Sequence, residues 1–254
     1  MRGNKEHLHN YAVAWTGEQE KEFSFEAVHS HIRKEQALRF IRASPHGSIL
    51  EIGCGLDPLF TYIIDFERYF IVEPIKKFAE KALEDKLGSS RVTVRNDYFE
   101  RCFHDFRDIP LDCIVMNGVL HEVPDPRLLL KCIHEICIES TRVFLSVSNA
   151  HSMHRLLAYE MGLISSPYEL SETNKKFKTS VVFDKNSLSD LVENTGFSIL
   201  DMGTYFIKPF SNQQMEAIIT AGIVDRRIIQ GLDRLIPYMP ELGSELYAVL
   251  EKSP

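Results

Sequence analysis

The segment Ser48-Ile49-Leu50-Glu51-Ile52-Gly53-Cys54-Gly55-Leu56-Asp57 is a short apolar run that ends in an acid and a G-x-G turn. Glycines at such a turn adopt conformations that a Cβ would block and let a ligand approach the main chain. An α/β sheet opens a nucleotide site in this way, at the carboxyl edge of a strand. A dinucleotide fingerprint would carry a third glycine three residues on, but Pro58 stands there and Asp57 adds negative charge beside any phosphate. The Lys and Ser/Thr of a P-loop are absent too. A nucleoside-type ligand without phosphates fits better, and an ordinary tight turn is the alternative that the motif alone leaves open.

The following segments bear on that choice. Tyr69-Phe70-Ile71-Val72 reads as a second apolar strand, ending at Glu73, 22 residues after Glu51, and Lys76-Lys77-Phe78-Ala79-Glu80-Lys81-Ala82 has helical character. This is the βαβ spacing at which an acid meets a ribose diol, and a carboxylate accepts hydrogen bonds from both hydroxyls. The alternative for Glu73 is a solvated acid capping a helix that begins near Pro74. A third strand is expected in Arg91–Phe99, with Asp97 at its end, and a fourth in Leu111-Asp112-Cys113-Ile114-Val115-Met116, running into the polar loop Asn117 to Pro126. Four strands thus bring polar groups to one edge of a parallel sheet.

With Leu50-Glu51-Ile52-Gly53-Cys54-Gly55, Glu73, Asp97-Tyr98 and Asn117-Gly118-Val119-Leu120-His121-Glu122-Val123-Pro124-Asp125-Pro126 in this order, the chain resembles the class I S-adenosylmethionine-dependent methyltransferases over about residues 48–148. The resemblance implies a Rossmann-like α/β fold, a seven-stranded mostly parallel sheet with helices on both faces, and S-adenosyl-L-methionine as cofactor, with S-adenosyl-L-homocysteine as product. It further implies that Gly53 and Gly55 line the methionine part and that Glu51 orients the amino group, directly or through water. Glu73, with Pro74 beside it, takes the ribose hydroxyls, Asp97 faces the adenine amino group with Tyr98 nearby, and Asn117 and Gly118 lie beside the cofactor. Many relatives carry a third glycine where Asp57 stands.

The rest of the chain supports a single large enzyme domain with additions. Its 254 residues, 44% hydrophobic, suffice for one core, and a net charge of −7 argues against a nucleic-acid enzyme. Lys76-Lys77 and Lys175-Lys176 read as solvated faces. Neither a run of about 18 apolar residues nor a signal-peptide core is present, so a cytoplasmic protein without membrane association is expected. Five cysteines without a C-x-x-C pair suggest reduced buried thiols rather than disulfides or zinc. Residues 1–44 read as a helical N-terminal arm, with Phe25, Val28 and Ile32 at helical spacing, and 45–254 as the methyltransferase domain, with insertions at about 151–182 and 211–240. A helix is expected over Pro126–Glu139 with Leu128, Leu129, Cys132, Ile133 and Ile136 inward. Strands are expected at Thr141–Val147, Gly196–Leu200 and Gly243–Leu250, with helical pattern over Gln213–Met239.

Methyl transfer from a sulfonium is an in-line displacement, so the acceptor must be aligned with a free lone pair. A hydroxyl must also lose its proton, a carboxylate need only be oriented, and an amine must be neutral. His121 and His151, after strands four and five, are candidate bases. His154 and Arg155 are acceptor-binding candidates, since Arg pairs bidentately with anionic groups. Tyr11 and Trp15 share one helical face. Packing on the domain accounts for them, whereas the resemblance, in which such a segment closes over the acceptor, makes them acceptor contacts and Tyr11 a catalytic candidate. His151 and His154 lack a third ligand, so no metal site is expected. The expected activity is O-methyl transfer to a carboxylate or hydroxyl of a small polar, peptidic or saccharide acceptor, in natural-product, modified-peptide or glycan tailoring, by a monomer or homodimer. The alternatives are an N-methyltransferase acting on a small amine, favoured if acids such as Glu122 and Glu160 face the acceptor, and a non-catalytic S-adenosylmethionine-binding regulatory protein.

Overall fold

The computed structural model describes residues 24–170 and 179–253, together with Val13 and Thr16. Tyr11, Trp15 and Lys175-Lys176 lie outside the described residues. Helix α1 (Phe25–Ala43) leads into β1 (Ser48–Ile52), β2 (Arg68–Val72), α2 (Lys76–Asp85), β3 (Val92–Arg95), the short α3 (Phe99–Cys102), β4 (Cys113–Asn117) and α4 (Pro126–Ile136). Then come β5 (Arg142–Ser148), α5 (Met153–Glu160), α6 (Lys185–Glu193), β6 (Phe197–Tyr205), α7 (Asn212–Thr220), α8 (Arg226–Arg234) and β7 (Glu245–Lys252).

The seven strands form one sheet in the order β3-β2-β1-β4-β5-β7-β6. Strands β1 to β5 pair in parallel, and β7 runs antiparallel between β5 and β6. The chain leaves β1 toward β2 on one side and returns to place β4 on the other. That reversal opens a crevice at the carboxyl tips of β1 and β4, where open α/β sheets bind ligands.

Alternation along the strands divides the apolar residues between two layers. Leu50, Ile52, Ile114, Met116, Val143 and Leu145 pack with Leu129, Leu130 and Ile133 of α4 and Leu188 and Val192 of α6. Ile49, Tyr69, Ile71, Val115 and Phe144 pack on the opposite face with Ala37, Leu38, Phe40 and Ile41 of α1. Helix α1 thereby covers this face of the sheet as part of the core, and Glu51, in phase with Ile49, points to its side of the sheet.

One expectation needs correction. Leu128 is exposed and Leu130 is buried in its place. Asp125 caps α4 by accepting from the Leu128 N–H, which fixes Leu128 in the first turn on the outer side. The helical pattern expected over Gln213–Met239 is present as two helices. Gly222, at φ 70°, ends α7, and the Asp225 carboxylate caps α8 through the Ile228 N–H.

The segment after α8 that leads into β7 carries Ser244 and Glu245, which line the acceptor chamber described below, and Gly243 sits in it. A Cβ there would lie 2.5 Å from Thr204 Oγ1 and 2.7 Å from the backbone nitrogen of Tyr205. We expect Gly243→Ala to destabilise the protein by about 1–3 kcal/mol through overpacking, measured by urea denaturation; unchanged stability would show that this turn is loosely packed.

Candidate active site

The turn after β1 is held by the conformations its glycines allow. Gly53 and Gly55 have φ of 76° and 59°. A Cβ on Gly53 would strike Val119 at 2.5 Å, whereas one on Gly55 would meet nothing within 4 Å. Gly53 therefore serves close packing against the loop after β4, and Gly55 leaves main chain open to a ligand. Asp57, where relatives carry glycine, ties the turn to α1: its carboxylate accepts from Lys34 Nζ at 2.6 Å and from the Tyr62 hydroxyl at 2.8 Å.

Glu73 and Glu51 lie beneath this turn, both buried. Glu73 Oε2 accepts from the Gly55 N–H (3.2 Å) and Oε1 from the Ile75 N–H (2.8 Å), which leaves a further lone pair on each oxygen. Glu51 accepts from the Leu59 N–H and, at 2.9 Å, from the Tyr69 hydroxyl. Burial pushes the Glu51 carboxyl up to about 8 and the Glu73 carboxyl up to about 7, against the pull of these donors. Glu73 does not cap α2, which begins at Lys76 with Ile75 at its N-cap.

Glu51, Gly53, Gly55, Glu73, Pro74, Tyr98, Asn117 and Gly118 all line one cavity of about 260 Å³ at the tips of β1, β2 and β4. Asp97 does not line it; its carboxylate accepts from the Tyr98 N–H at 2.8 Å and lies 3.9 Å from Arg101. Asn117 is an anchor as well as a wall, donating to the Arg33 carbonyl and accepting from Ser146 Oγ at 2.6 Å. Sequence reasoning missed Phe99 and Glu100 at the Tyr98 end, and Ser30, Arg33 and Lys34, which α1 supplies.

A second cavity, of about 490 Å³, adjoins the first, and Arg33 and Glu122 line both. Its deep wall holds Glu26, His29, Arg33, His121, Lys208 and Glu245. Arg33 Nη2 bonds Glu245 at 3.0 Å and lies 3.6 Å from Glu26. Burial alone would lower the Arg33 pKa, but Glu245 and Glu26 raise it above the usual guanidinium value. Lys208 Nζ donates to Asn212 Oδ1 at 2.7 Å, and Asn212 Nδ2 donates to Glu26 at 2.9 Å. Burial pushes Lys208 down to about 8, against the pull of Glu26 and Glu245. Burial also raises the Glu26 carboxyl and, with nearby cations, depresses His29, His154 and His121, the last to about 3. His29 Nε2 lies 2.9 Å from Ser244 Oγ. The Nδ1 atoms of His121 and His154 have no hydrogen-bond partner.

Among the expected acceptor-side residues, His121, His154 and Arg155 line this chamber. Arg155 also fastens the segment after α5, donating to the carbonyls of Pro167 (2.7 Å) and Glu169. His151 lines neither cavity; it packs edge-on against Tyr168, whose hydroxyl lies 3.2 Å from His151 Nε2 and donates to Asp184. The step that carries the chain away from the sheet after Asn149 turns His151 outward. Of the two acids marked for amine recognition, Glu122 faces the chamber and Glu160 does not. Among the described residues no cluster of His, Cys, Asp and Glu is arranged to hold a metal ion, and no helix is long and apolar enough to cross a membrane.

The perturbed groups set a pH dependence of stability for the ligand-free chain. Glu51 and Glu73 hold protons in the folded state up to about 8 and about 7, beyond the ordinary carboxylate value of 4.5, so their contribution is lost as pH rises. The neutral histidines act oppositely, but only below their ordinary value of 6.5, and Lys208 acts above about 8. Between about pH 6.5 and about pH 8, stability should fall by on the order of 1–2 kcal/mol, and by less in Glu51→Gln. Urea denaturation across this window checks it; stability that rises with pH there would contradict the burial of both acids.

Comparison with known proteins agrees with this geometry. The family model of the methyltransferase domain matches residues 27–201. No curated protein matches the chain. Among solved structures, a possible histamine N-methyltransferase from Thermotoga maritima is similar at 18% identity and TM-score 0.55, over 88% of this chain and 89% of that one. The plantazolicin methyltransferase BamL, bound to a desmethyl-plantazolicin analogue and S-adenosylhomocysteine, is similar at 14% identity and TM-score 0.55, over 98% and 97%. The N-methyltransferase NodS from Bradyrhizobium japonicum, bound to S-adenosylhomocysteine, is similar at 12% identity and TM-score 0.53, over 88% and 87%. At such identities the likenesses establish the fold. S-adenosylmethionine fits the first cavity, because Gly55 leaves main chain open there and the buried carboxylates of Glu51 and Glu73, both acceptors, line the same wall. The chain belongs to the methyltransferase domain family and is a class I S-adenosylmethionine-dependent methyltransferase.

Proposed function

We propose that this enzyme is an O-methyltransferase whose acceptor is a hydroxyl on a small, polar, overall neutral molecule such as a saccharide or a hydroxylated peptide derivative. The observation that carries this reading is the placement of Glu122, the one carboxylate lining both cavities among the described residues. When bound, S-adenosylmethionine supplies the electrophilic methyl group of its sulfonium. Glu73 would accept from the ribose hydroxyls, Glu51 would face the amino group, and Arg33, which lines the same cavity, would set its positive charge beside the carboxylate of the methionine portion.

The proton of the attacking hydroxyl needs a base where the two cavities meet. Arg33 has no capacity to take it. His121 lines only the second cavity and, held down to about 3, stays a neutral hydrogen-bonding group. Glu26 and Glu245 are engaged with Arg33 away from the cofactor. Glu122 lines both cavities and lies 4.0 Å from His121 Nε2, its backbone fixed by its own N–H to the Val119 carbonyl and its loop clasped by Ser180, which donates to the carbonyls of His121 and Val123.

Charge in the chamber supports a neutral acceptor. Glu26 and Glu245 offset Arg33 and Lys208, and His121 and His154 line the chamber as neutral imidazoles. A carboxylate acceptor would need no base, which leaves Glu122 without a role. Glu122 also favours a second reading, N-methylation of a small neutral amine, since an acid orients an amine nitrogen.

With labelled S-adenosylmethionine and a panel of monosaccharides, short peptides and small amines, we expect methylation on oxygen. Glu122→Gln should lower kcat by about 10²–10⁴-fold while S-adenosylhomocysteine affinity stays near that of the parent protein. Full turnover in that variant would remove Glu122 as base, and a methylated nitrogen in the product would establish the second reading.

A further inference from the structure

The acceptor chamber has an unusual gradient of polarity. Its depth holds charged and imidazole groups: Glu245 is 1% exposed, and Glu26, His29, His121 and Lys208 are also buried. Its mouth carries an apolar strip beside the exposed polar residues Ser211, Gln213 and Gln214. Leu157 (38% exposed), Met161 (59%), Leu163 (67%) and Phe210 (39%) line the same cavity from opposite sides, the first three from α5 and the turn after it, the last from the segment that follows β6. The stretch Lys208-Pro209-Phe210 joins the two zones, placing a buried cation at one end and an exposed ring at the other. Single exposed apolar residues are ordinary, but four around one mouth mark a surface that something apolar covers.

We infer that the acceptor is amphipathic: a hydroxyl-bearing head enters the chamber, and an alkyl or aromatic portion of the same molecule lies across the rim formed by Leu157, Met161, Leu163 and Phe210. This rests on the proposed hydroxyl acceptor and extends it. The occupant follows from continuity, because the rim side chains are walls of the cavity that holds the polar groups. A ligand that fills this cavity as far as Glu122 shares its walls with them, and a segment left at the mouth removes their apolar surface from water. A bilayer would instead call for apolar groups on a convex face.

The test uses the full chain loaded with S-adenosylhomocysteine and two probes, octyl β-D-glucopyranoside below its micelle-forming concentration and methyl β-D-glucopyranoside. Calorimetry should show the octyl glycoside binding at least about tenfold more tightly. The double variant Met161→Glu, Leu163→Glu should abolish that preference, with thermal melting confirming its fold. Ile64→Glu, at an 87% exposed position that lines neither cavity, should preserve it. Equal affinity for both glycosides, or a preference that survives the rim variant, overturns the inference, as does failure of every octyl probe to bind. If both glycosides fail but octylamine or octanoate binds in a rim-dependent way, the amphipathic acceptor stands and the hydroxyl reading falls. Rim-dependent sedimentation with phosphatidylcholine vesicles, without binding of monomeric octyl glycoside, makes the rim a membrane contact and overturns the proposal.

Discussion

A carboxylate buried at the end of a strand keeps a place for ligand only if the main chain around it supplies donors, and Glu73 illustrates the condition. It sits at the tip of β2 with one oxygen on the Gly55 N–H and the other on the Ile75 N–H. Those two bonds join the turn after β1 to the turn after β2. They exist because Gly55 adopts a positive φ that few other residues accept, and because parallel pairing of β1 with β2 in register brings both turns to one edge. Glu51, one strand away, locks the same turn through the Leu59 N–H and Tyr69. Both acids are held near neutrality by burial, so each can ionise when a diol or an ammonium group arrives.

From that edge the remaining site is assembled by helix α1. Ala37, Leu38 and Ile41 anchor its second half against the sheet, and this fixes where its first half projects Glu26, His29 and Arg33. Arg33 spans the cofactor cavity and the acceptor chamber, so the two ligands share a wall. A Cβ on Gly118 would approach Arg33 to 3.2 Å, which makes that glycine a condition for the guanidinium's position. The buried charges of the chamber are mutually compensated, as burial demands, and Asn212 joins Lys208 to Glu26 so that α7 is held to α1.

The cofactor half of the site was legible in the sequence because its signals are local. A glycine turn after an apolar strand, and acids at strand ends, are visible in a few adjacent letters, and Glu51, Gly53, Gly55, Glu73, Pro74, Tyr98, Asn117 and Gly118 line one cavity, the one proposed to take the cofactor. Asp97 was assigned by the same logic, yet its carboxylate turns back to cap its own neighbour. The acceptor half was less legible. Glu26, His29 and Arg33 recur at helical spacing, a pattern that in isolation describes a solvated face; only the docking of α1 beneath β7 and the Lys208 segment makes it a chamber wall. His151 was placed by proximity to β5, which fixes the strand's end but not the direction of the chain after it.

If Glu51 and Glu73 hold the cofactor as proposed, they do so as ionised acids that are partly protonated in the empty site. Calorimetric titration with S-adenosylhomocysteine near neutral pH, in buffers of different ionisation enthalpy, for the parent protein and Glu73→Ala, should then show proton release on binding, a smaller release in the variant, and a loss of about 1.5–3 kcal/mol in affinity from a missing charged hydrogen bond. A binding enthalpy independent of buffer, together with unchanged affinity in Glu73→Ala, would contradict the proposal.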